Sequence, residues 1–388
     1  MRILLVGEYS RLHNSLKEGL RELGHQVIII GNGDGFKNYP VDYSTRAKWF
    51  QSKIGNIPRQ IIFRIAGFDL VKFEQGIRFF FLSKKLKGFD IVQLINECPI
   101  QTQKPFELYL LKKIFKNNKS VFLLSCGVDY LSVKFLLDRK IEKSILKPFF
   151  EDKNLKKNYD YVFEYTGSNQ KKIHDYIYHN CRGIIASDID YVIPLKGNKK
   201  YLGLVPNPVI LNKKFSSPEI NENVIRIFLG VNKWNYYQKG VKYFEKALDI
   251  IKEKYPEKIE IIIVENIPYK DYINLYNKAH ILLDQCFAYD QGYNALEAMA
   301  KGKVVFTGAE KEFLEHYILQ EDEVAINAKP DVDYLVEKLS MLIENPSMIE
   351  AIGTKARNFI EKEHNYIKIA EKYLAVWNKQ KLSEEEEH

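Results

Sequence analysis

Short apolar runs alternate with helix-period segments along this chain, and the alternation runs twice. Arg2-Ile3-Leu4-Leu5-Val6-Gly7 is an apolar run ending in glycine, residues 15–24 carry Leu16, Leu20 and Leu23 at helical spacing before Gly24, and Gln26 to Gly31 is a second apolar run. Strand, helix and strand within about 30 residues make a βαβ unit, which requires a parallel sheet with a right-handed crossover. Asp90–Ile95 and Ser120–Leu124 predict further strands, and Tyr159–Phe163, Gly183–Ala186 and Gly203–Val205 complete this half.

Pro206-Asn207-Pro208 then breaks the pattern, and residues 212–223, with Ser216, Ser217 and Pro218, read as a polar linker. The alternation restarts with strands at Arg226–Gly230, Ile259–Val264, Ile281–Asp284 and Lys303–Thr307. Helices are predicted between them at Val241–Lys254, Tyr269–Lys278 and Asn294–Lys301. A length of 388 residues suits two domains. The expected fold class is therefore α/β, two doubly wound Rossmann-like domains over residues 1–208 and 209–364. A cleft facing the carboxyl ends of both sheets is where such folds bind ligands, so the active site is expected between the domains.

Hydrophobic residues at 46% and charged residues at 28% exclude disordered, collagenous and coiled-coil classes. The longest apolar stretches, such as Arg78–Leu82, fall far short of the roughly 20 residues of a membrane-spanning helix. Residues 1–6 resemble the start of a signal peptide, but Gly7-Glu8-Tyr9-Ser10-Arg11 interrupts the apolar run too early. Cys98, Cys126, Cys181 and Cys286 are scattered without paired spacing, which argues against zinc sites and disulfides. A cytoplasmic protein is expected. The acidic tail Ser383–His388 reads as solvated.

Charge placement adds a second expectation. Residues 46–87 hold ten basic residues against two acidic ones, Asp69 and Glu74, an excess equal to the +8 of the whole chain. Trp49, Phe50, Phe63, Phe68, Phe73, Phe79, Phe80 and Phe81 interleave with them. This pattern suits either contact with an anionic membrane surface or an ordinary core helix with a solvated basic face. No recognition motif accompanies the charge, so nucleic acid is not an expected partner.

The segment from Gly292 to Val305, Gly-Tyr-Asn-Ala-Leu-Glu-Ala-Met-Ala-Lys-Gly-Lys-Val-Val, resembles the signature of the GT-B fold glycosyltransferases, particularly glycosyltransferase family 4. Gly24-His25-Gln26-Val27, Pro206-Asn207-Pro208 and Lys239-Gly240 agree with it in order and spacing, so the resemblance spans residues 1 to about 380. It implies that the final helix returns to the first domain, joining it at about residues 365–388. A nucleotide-sugar donor needs its diphosphate neutralised without blocking the anomeric carbon. A helix that begins after a glycine-bearing loop supplies free backbone N–H groups for this, and Asp290-Gln291-Gly292-Tyr293-Asn294 is that loop.

The resemblance also distributes roles. It implies that Glu297 accepts hydrogen bonds from the donor's ribose, that Lys239 grips the diphosphate with Lys233 as a less secure partner, that Asp284 and Gln285 contact the sugar, and that Ile267 covers the base. Glu8, Tyr9 and Arg11 occupy the first strand-to-helix loop, where relatives approach donor and acceptor; His13 reads equally well as a surface residue. Two positions depart from the family. Tyr289 stands where many relatives carry a second glutamate, with Asp290 adjacent. Ser125-Cys126-Gly127-Val128-Asp129 stands where relatives often have a histidine and glycine, and Cys126 cannot act as that histidine does. Asp188-Ile189-Asp190 matches a metal motif by letters only, so no metal or other cofactor is expected.

The implied reaction is a retaining transfer from a UDP- or GDP-sugar to an acceptor hydroxyl, with the departing phosphate assisting attack. A lipid-linked or glycan acceptor in cell-envelope polysaccharide assembly would explain residues 46–87, placing the protein on the inner face of the membrane. A nucleotide-sugar epimerase of the same fold and a noncatalytic binding subunit remain open.

Overall fold

The computed structural model describes residues 1–138, 141, 143–211, 224–265 and 267–385. The linker expected at 212–223 and the last three residues of the acidic tail lie outside the described residues. The chain divides into two compact units: Met1–Lys134, Val162–Pro208 and Tyr366–His388 form the first, and Phe135–Tyr161 with Val209–Asn365 the second.

The first unit is built on seven parallel strands: β1 (Arg2–Val6), β2 (Gln26–Gly31), β3 (Tyr43–Ser44), β4 (Ile91–Leu94), β5 (Val121–Ser125), β6 (Gly183–Ala186) and β7 (Tyr201–Leu204). Arg2 apart, every side chain of β1, β4, β5 and β6 is buried, as a sheet covered on both faces requires. The strand order β3-β2-β1-β4-β5-β6-β7 reverses direction between β1 and β4. Open α/β sheets bind ligands beyond the carboxyl ends of the two strands that flank such a switch point.

Helices α1 (Leu12–Glu22), α2 (Asn56–Ala66), α3 (Leu70–Leu82) and α4 (Lys104–Asn117) belong to this unit. Leu12, Leu16 and Leu20 bury the inner stripe of α1, which begins three residues earlier than its leucine spacing suggested. The helix Tyr366–Glu385 packs against α1 at Gly19, where a Cβ would stand 2.2 Å from the Tyr366 carbonyl oxygen. Its Trp377 is buried and donates its Nε1–H to Gln93 Oε1 of β4 at 3.1 Å.

The second unit carries five parallel strands: β8 (Ile225–Val231), β9 (Ile259–Glu265), β10 (Ile281–Leu283), β11 (Val304–Thr307) and β12 (Ile326–Asn327). Their order, β12-β11-β10-β8-β9, puts the switch point between β8 and β10. Val241, Phe244, Ala247, Leu248 and Ile251 form the buried stripe of the helix Val241–Lys254 that covers this sheet. Residues 135–161 join this unit through specific bonds. Lys143 Nζ donates to Asn327 Oδ1 and to the Ala328 carbonyl, both at 3.2 Å, and pairs with Glu310, while Gln238 Nε2 donates to the Asn158 carbonyl at 3.0 Å.

Tyr159–Phe163, expected to help complete the first sheet, is helical, within Lys156–Phe163. Tyr159 and Val162 are fully buried while Asp160 and Tyr161 face water, a spacing of three that suits a helix and defeats the alternation a strand needs. No helix among the described residues is long and apolar enough to cross a membrane.

Candidate functional site

The second unit places its charged pair at the switch point. After β8 the chain passes through a turn and reaches Lys239, the last residue of the short helix Tyr236–Lys239. After β10 it reaches Asp284. Lys239 Nζ donates to Asp284 Oδ1 at 2.8 Å, with the carboxylate 1% exposed and the lysine side chain 25% exposed. The other carboxylate oxygen, Oδ2, accepts from Thr307 Oγ1 of β11 at 3.3 Å. An ammonium carries three donors, and the Asp284 bond occupies one of them.

Gly240 makes this approach possible. Its φ is +71°, and a Cβ there would stand 3.0 Å from Cys286 Cβ. A side chain would oppose both the left-handed turn and the Cys286 N–H bond to the Lys239 carbonyl at 2.9 Å. A second close approach follows: a Cβ on Gly308 would stand 2.6 Å from the carbonyl oxygens of both Ala288 and Asp290, so the loops after β10 and β11 lie in backbone contact.

The loop Asp290–Asn294 runs beside this pair. A Cβ on Gly292 would meet Asp284 Oδ2 and Gln285 Nε2 at 3.7 Å, so Asp284, Gln285 and Gly292 share one spot. Asp290 is buried and its Oδ1 accepts the Gln291 N–H at 2.7 Å; Gln291 Nε2 donates to the Gly308 carbonyl at 2.7 Å. Tyr293, Asn294 and half-buried Glu297 lie on the helix Tyr293–Met299. That helix is tied down by Tyr272, whose hydroxyl donates to Asn294 Oδ1 at 3.3 Å, and by Tyr276, whose hydroxyl donates to the Asn294 carbonyl at 3.0 Å.

Lys233 pairs with a different carboxylate. Lys233 Nζ lies 2.6 Å from Glu265 Oε1 at the ends of β8 and β9, but its side chain is 71% exposed, and Ile267 is half-buried in the loop after β9. Tyr289, at the position where a glutamate was sought, is buried and accepts the Lys143 backbone N–H at 3.4 Å. Two groups here escaped the sequence reading. Lys143 reaches the loops after β11 and β12 from far away in the chain, and Trp234, next to Lys233, holds an exposed indole. A tryptophan in a polar loop was the available signal for the second; the first has none.

In the first unit the same edge of the sheet is held differently. Glu8, at the end of β1, is buried, and its Oε2 accepts the Asn14 backbone N–H at 2.8 Å and the Asn14 side-chain amide at 2.5 Å. Glu8 Oε1 is buried with no hydrogen-bond partner among the described residues. Burial pushes this carboxyl up to about 7, with Asp34 adding to the rise. His13 is fully buried, which corrects its reading as a surface residue, because α1 begins early enough to turn it inward. Its Nδ1–H donates to the Gly7 carbonyl at 2.7 Å, and burial pushes the imidazole down to about 4.

Tyr9 crosses the switch point: Asn96 Nδ2, after β4, donates to its hydroxyl at 3.3 Å, and burial raises its pKa. Arg11 is exposed at a φ of +72°, following Ser10 at +50°, so two successive non-glycine residues hold the left-handed conformation at the start of α1. Cys126, after β5, keeps some surface while its thiol is desolvated and pushed up to about 12, with Asp188, Glu8 and Asp129 opposing ionisation. Asp129 is buried and serves the next helix: its Oδ1 accepts the Ser132 N–H at 2.7 Å and its Oδ2 the Ser125 hydroxyl at 2.8 Å. Burial, with Glu97 adding to it, pushes Asp129 up to about 6. Glu97 itself accepts from His174 Nδ1 at 2.6 Å, Gln170 Nε2 at 2.7 Å and the Tyr130 N–H at 3.1 Å. Among the described residues no cluster of histidine, cysteine and carboxylate side chains could hold a metal ion.

Residues 233–375 match a protein family described as glycosyl transferase-like. No curated protein matches the chain in sequence. Sucrose-phosphate synthase from Thermosynechococcus elongatus superposes with a TM-score of 0.60 at 15% identity, over 99% of this chain and all of that one. Anabaena Alr3699/HepE in complex with UDP-glucose gives 0.55 at 12% identity, over 98% of this chain and all of that one. A glycosyltransferase from Rickettsia africae gives 0.53 at 15% identity, over 98% of each chain. At these identities the likeness is one of fold, two Rossmann-like α/β units in tandem.

Proposed function

We propose that this chain, a glycosyltransferase of GT-B fold, moves a sugar from a UDP- or GDP-sugar to an acceptor hydroxyl, with retention and without an obligatory metal. The observation that carries the reading is the Lys239–Asp284 pair, held at the switch point of the unit that matches the glycosyl transferase-like family. Lys239 lies against the diphosphate. Its ammonium stabilises the negative charge that grows on the leaving phosphate as the glycosidic bond breaks. Asp284 orients the lysine and, with Gln285, accepts from sugar hydroxyls. Asp290, Gly292, Tyr293 and Asn294 frame the phosphates, Glu297 takes the ribose, and Ile267 and Lys233 border the base. On the acceptor side stand Glu8, Tyr9, Arg11, Cys126 and Asp129. The acceptor oxygen bonds the anomeric carbon on the face from which the diphosphate departs, and its proton passes to the departing phosphate oxygen. Positioning and electrostatics supply the rate.

The acceptor in this reading is a glycan or lipid-linked saccharide of cell-envelope assembly, met by the protein at an anionic membrane through residues 46–87. A second reading, nucleotide-sugar epimerisation, is favoured by one observation: Glu8 and Asp129 are both pushed toward the protonated form, as acid–base carboxyls would be.

The deciding experiment is calorimetric titration with UDP, GDP, ADP, TDP and CMP, each in EDTA and then in magnesium. Tight binding of one diphosphate in EDTA is expected, and binding of none would refute the donor site. Incubation of the matching nucleotide sugar without acceptor separates the two readings, because only an epimerase releases an isomerised sugar.

A further inference from the structure

Helix α2 has no buried side chain. Ile57, Ile61 and Ile65 recur every four residues and so form one stripe, which Ile54 extends by a turn. A helix laid on a core buries such a stripe. Here the four isoleucines are 64%, 53%, 81% and 79% exposed in that order. Asn56 and Arg59 take the opposite side of the helix together with Phe63, which is 56% exposed, while Gln60 and Arg64 flank the stripe. Contiguous exposed aliphatic surface of this kind marks an interaction site.

The patch continues in a row of rings. Phe68 contacts Phe73 at 5.6 Å between centroids, Phe73 contacts Phe106 at 6.2 Å, Phe106 stacks on Tyr109 at 6.2 Å and Tyr109 on Phe80 at 6.4 Å. Phe68, Phe73, Tyr109 and Phe81 are exposed, and Trp49 is exposed at the entry to the segment. Lys113 Nζ lies 4.1 Å from the Phe80 ring centre. The row therefore runs from the α2–α3 corner onto α4, where Lys112 and Lys116 are exposed, so the basic surface reaches beyond residues 46–87.

The two acidic residues of the segment are spent internally. Asp69 caps α3 by accepting the Val71 and Lys72 N–H groups. Against the burial that would raise it, Glu74 is held at about 2 by the N–H groups of Phe50, Lys48 and Trp49 and by Arg78. What faces outward is cationic. A second copy of this chain seated on the face would set two segments of like charge against each other, because a twofold contact pairs a patch with itself. An anionic bilayer complements the charge and takes aliphatic side chains without demanding hydrogen-bond partners.

We propose that this face docks on an anionic membrane, with α2 lying in the plane of the headgroup–acyl boundary. Its isoleucine stripe enters the acyl layer, the rings of Trp49, Phe68 and Phe73 sit at headgroup level, and the lysines and arginines contact lipid phosphates. The inference deepens the membrane part of the function proposed above and rests on it for the lipid-linked acceptor, while nucleotide binding tests the transfer reading separately.

The test uses the full chain in flotation with phosphatidylcholine vesicles, with and without phosphatidylglycerol. Binding to the anionic vesicles at low salt, declining as salt rises, is expected. The double variant Ile61→Asp/Ile65→Asp should bind roughly tenfold more weakly or worse, with nucleotide affinity unchanged. Because α2 buries no side chain, this variant should keep the wild-type circular dichroism spectrum and melting temperature. Arg59→Glu/Arg64→Glu should weaken binding and flatten its salt dependence. Four results would overturn the proposal: no flotation of the wild type at low salt, equal flotation of the isoleucine variant, a wild-type dimer in sedimentation velocity that the isoleucine variant dissolves, or a loss of nucleotide affinity in that variant. The third would make the face a contact between copies.

Discussion

Glu8 offers the sharpest test of how the first unit is held, and the perturbation is Glu8→Gln. Its carboxyl rises from an ordinary 4.5 to about 7 on folding, chiefly through burial. Below pH 4.5 the group is protonated in the folded and unfolded chains alike, and no penalty applies. As pH rises from 4.5 to 7 the unfolded chain ionises first, so the folded state loses stability; above 7 both forms ionise and the loss is constant. At about 1.4 kcal/mol for each tenfold in proton affinity, the loss comes to about 3 kcal/mol. Glutamine keeps an oxygen for the two Asn14 donors and does not titrate. Its amide nitrogen takes the place of Oε1, which has no partner among the described residues, and adds a penalty that does not vary with pH. The quantity to read is therefore the change in the difference between variant and wild type, not its value at one pH. His13 and Glu107 titrate in both proteins and cancel. Urea unfolding followed by the emission of buried Trp377, which packs on the first sheet, reports this unit's transition. The variant should gain about 3 kcal/mol on the wild type between pH 4.5 and pH 8. A difference that stays flat across that range would refute the argument that Glu8 is buried at the cost of its charge.

Two further outcomes follow from the second unit. Lys239→Ala should weaken binding of the matching nucleoside diphosphate by about 1.5–3 kcal/mol, the range for hydrogen bonds to charged groups, whereas Lys233→Ala, at an exposed pair, should cost under about 1 kcal/mol. Calorimetry reads both, and equal losses would contradict the placement of Lys239 alone at the switch point. Gly240→Ala should lower stability by about 1–2 kcal/mol for the left-handed turn alone, with more from the Cys286 contact. A urea midpoint unchanged from wild type would mean that the turn relaxes.

The central strands were legible because a parallel strand covered on both faces is apolar at most positions, which leaves β1, β4, β5, β8 and β11 as short apolar-rich runs broken only by residues such as Gln93 and Arg226. The helix Val241–Lys254 was legible to the residue, since Gly240 precedes it and a buried stripe runs its length. The edge strands β3 and β12 were not, because two paired residues leave no pattern to read. Tyr159–Phe163 misled because a run of aromatic and aliphatic residues is ambiguous until the spacing of buried positions is known. Residues 135–161 carry no local sign of their place in the second unit. Lys143 meets Glu310 and Asn327 across more than 160 positions of sequence, and such a contact is decided by the fold.

The site divides along the same line. Residue types at strand ends pointed to Lys239, Asp284 and Gly292, and spacing already set Lys239 ahead of Lys233, but nothing in the sequence pointed to the bond between Lys239 and Asp284. Burial agrees with that order, at 25% against 71% exposure of the side chain. In the first unit the loop position of Glu8 was legible, but neither its charge nor the burial of His13 was. The structure holds one carboxyl up to about 7 and one imidazole down to about 4, so at neutral pH the histidine beside the switch point is uncharged and the charge of the glutamate is disfavoured. The two switch points therefore differ in kind. One presents a fixed ammonium with its counter-ion, suited to a diphosphate whose charge grows on departure. The other is lined by buried groups of little charge, which suits the uncharged hydroxyl-bearing acceptor proposed above, one that must be oriented and need not be neutralised. Transfer of a sugar from a nucleotide to a hydroxyl asks for that asymmetry.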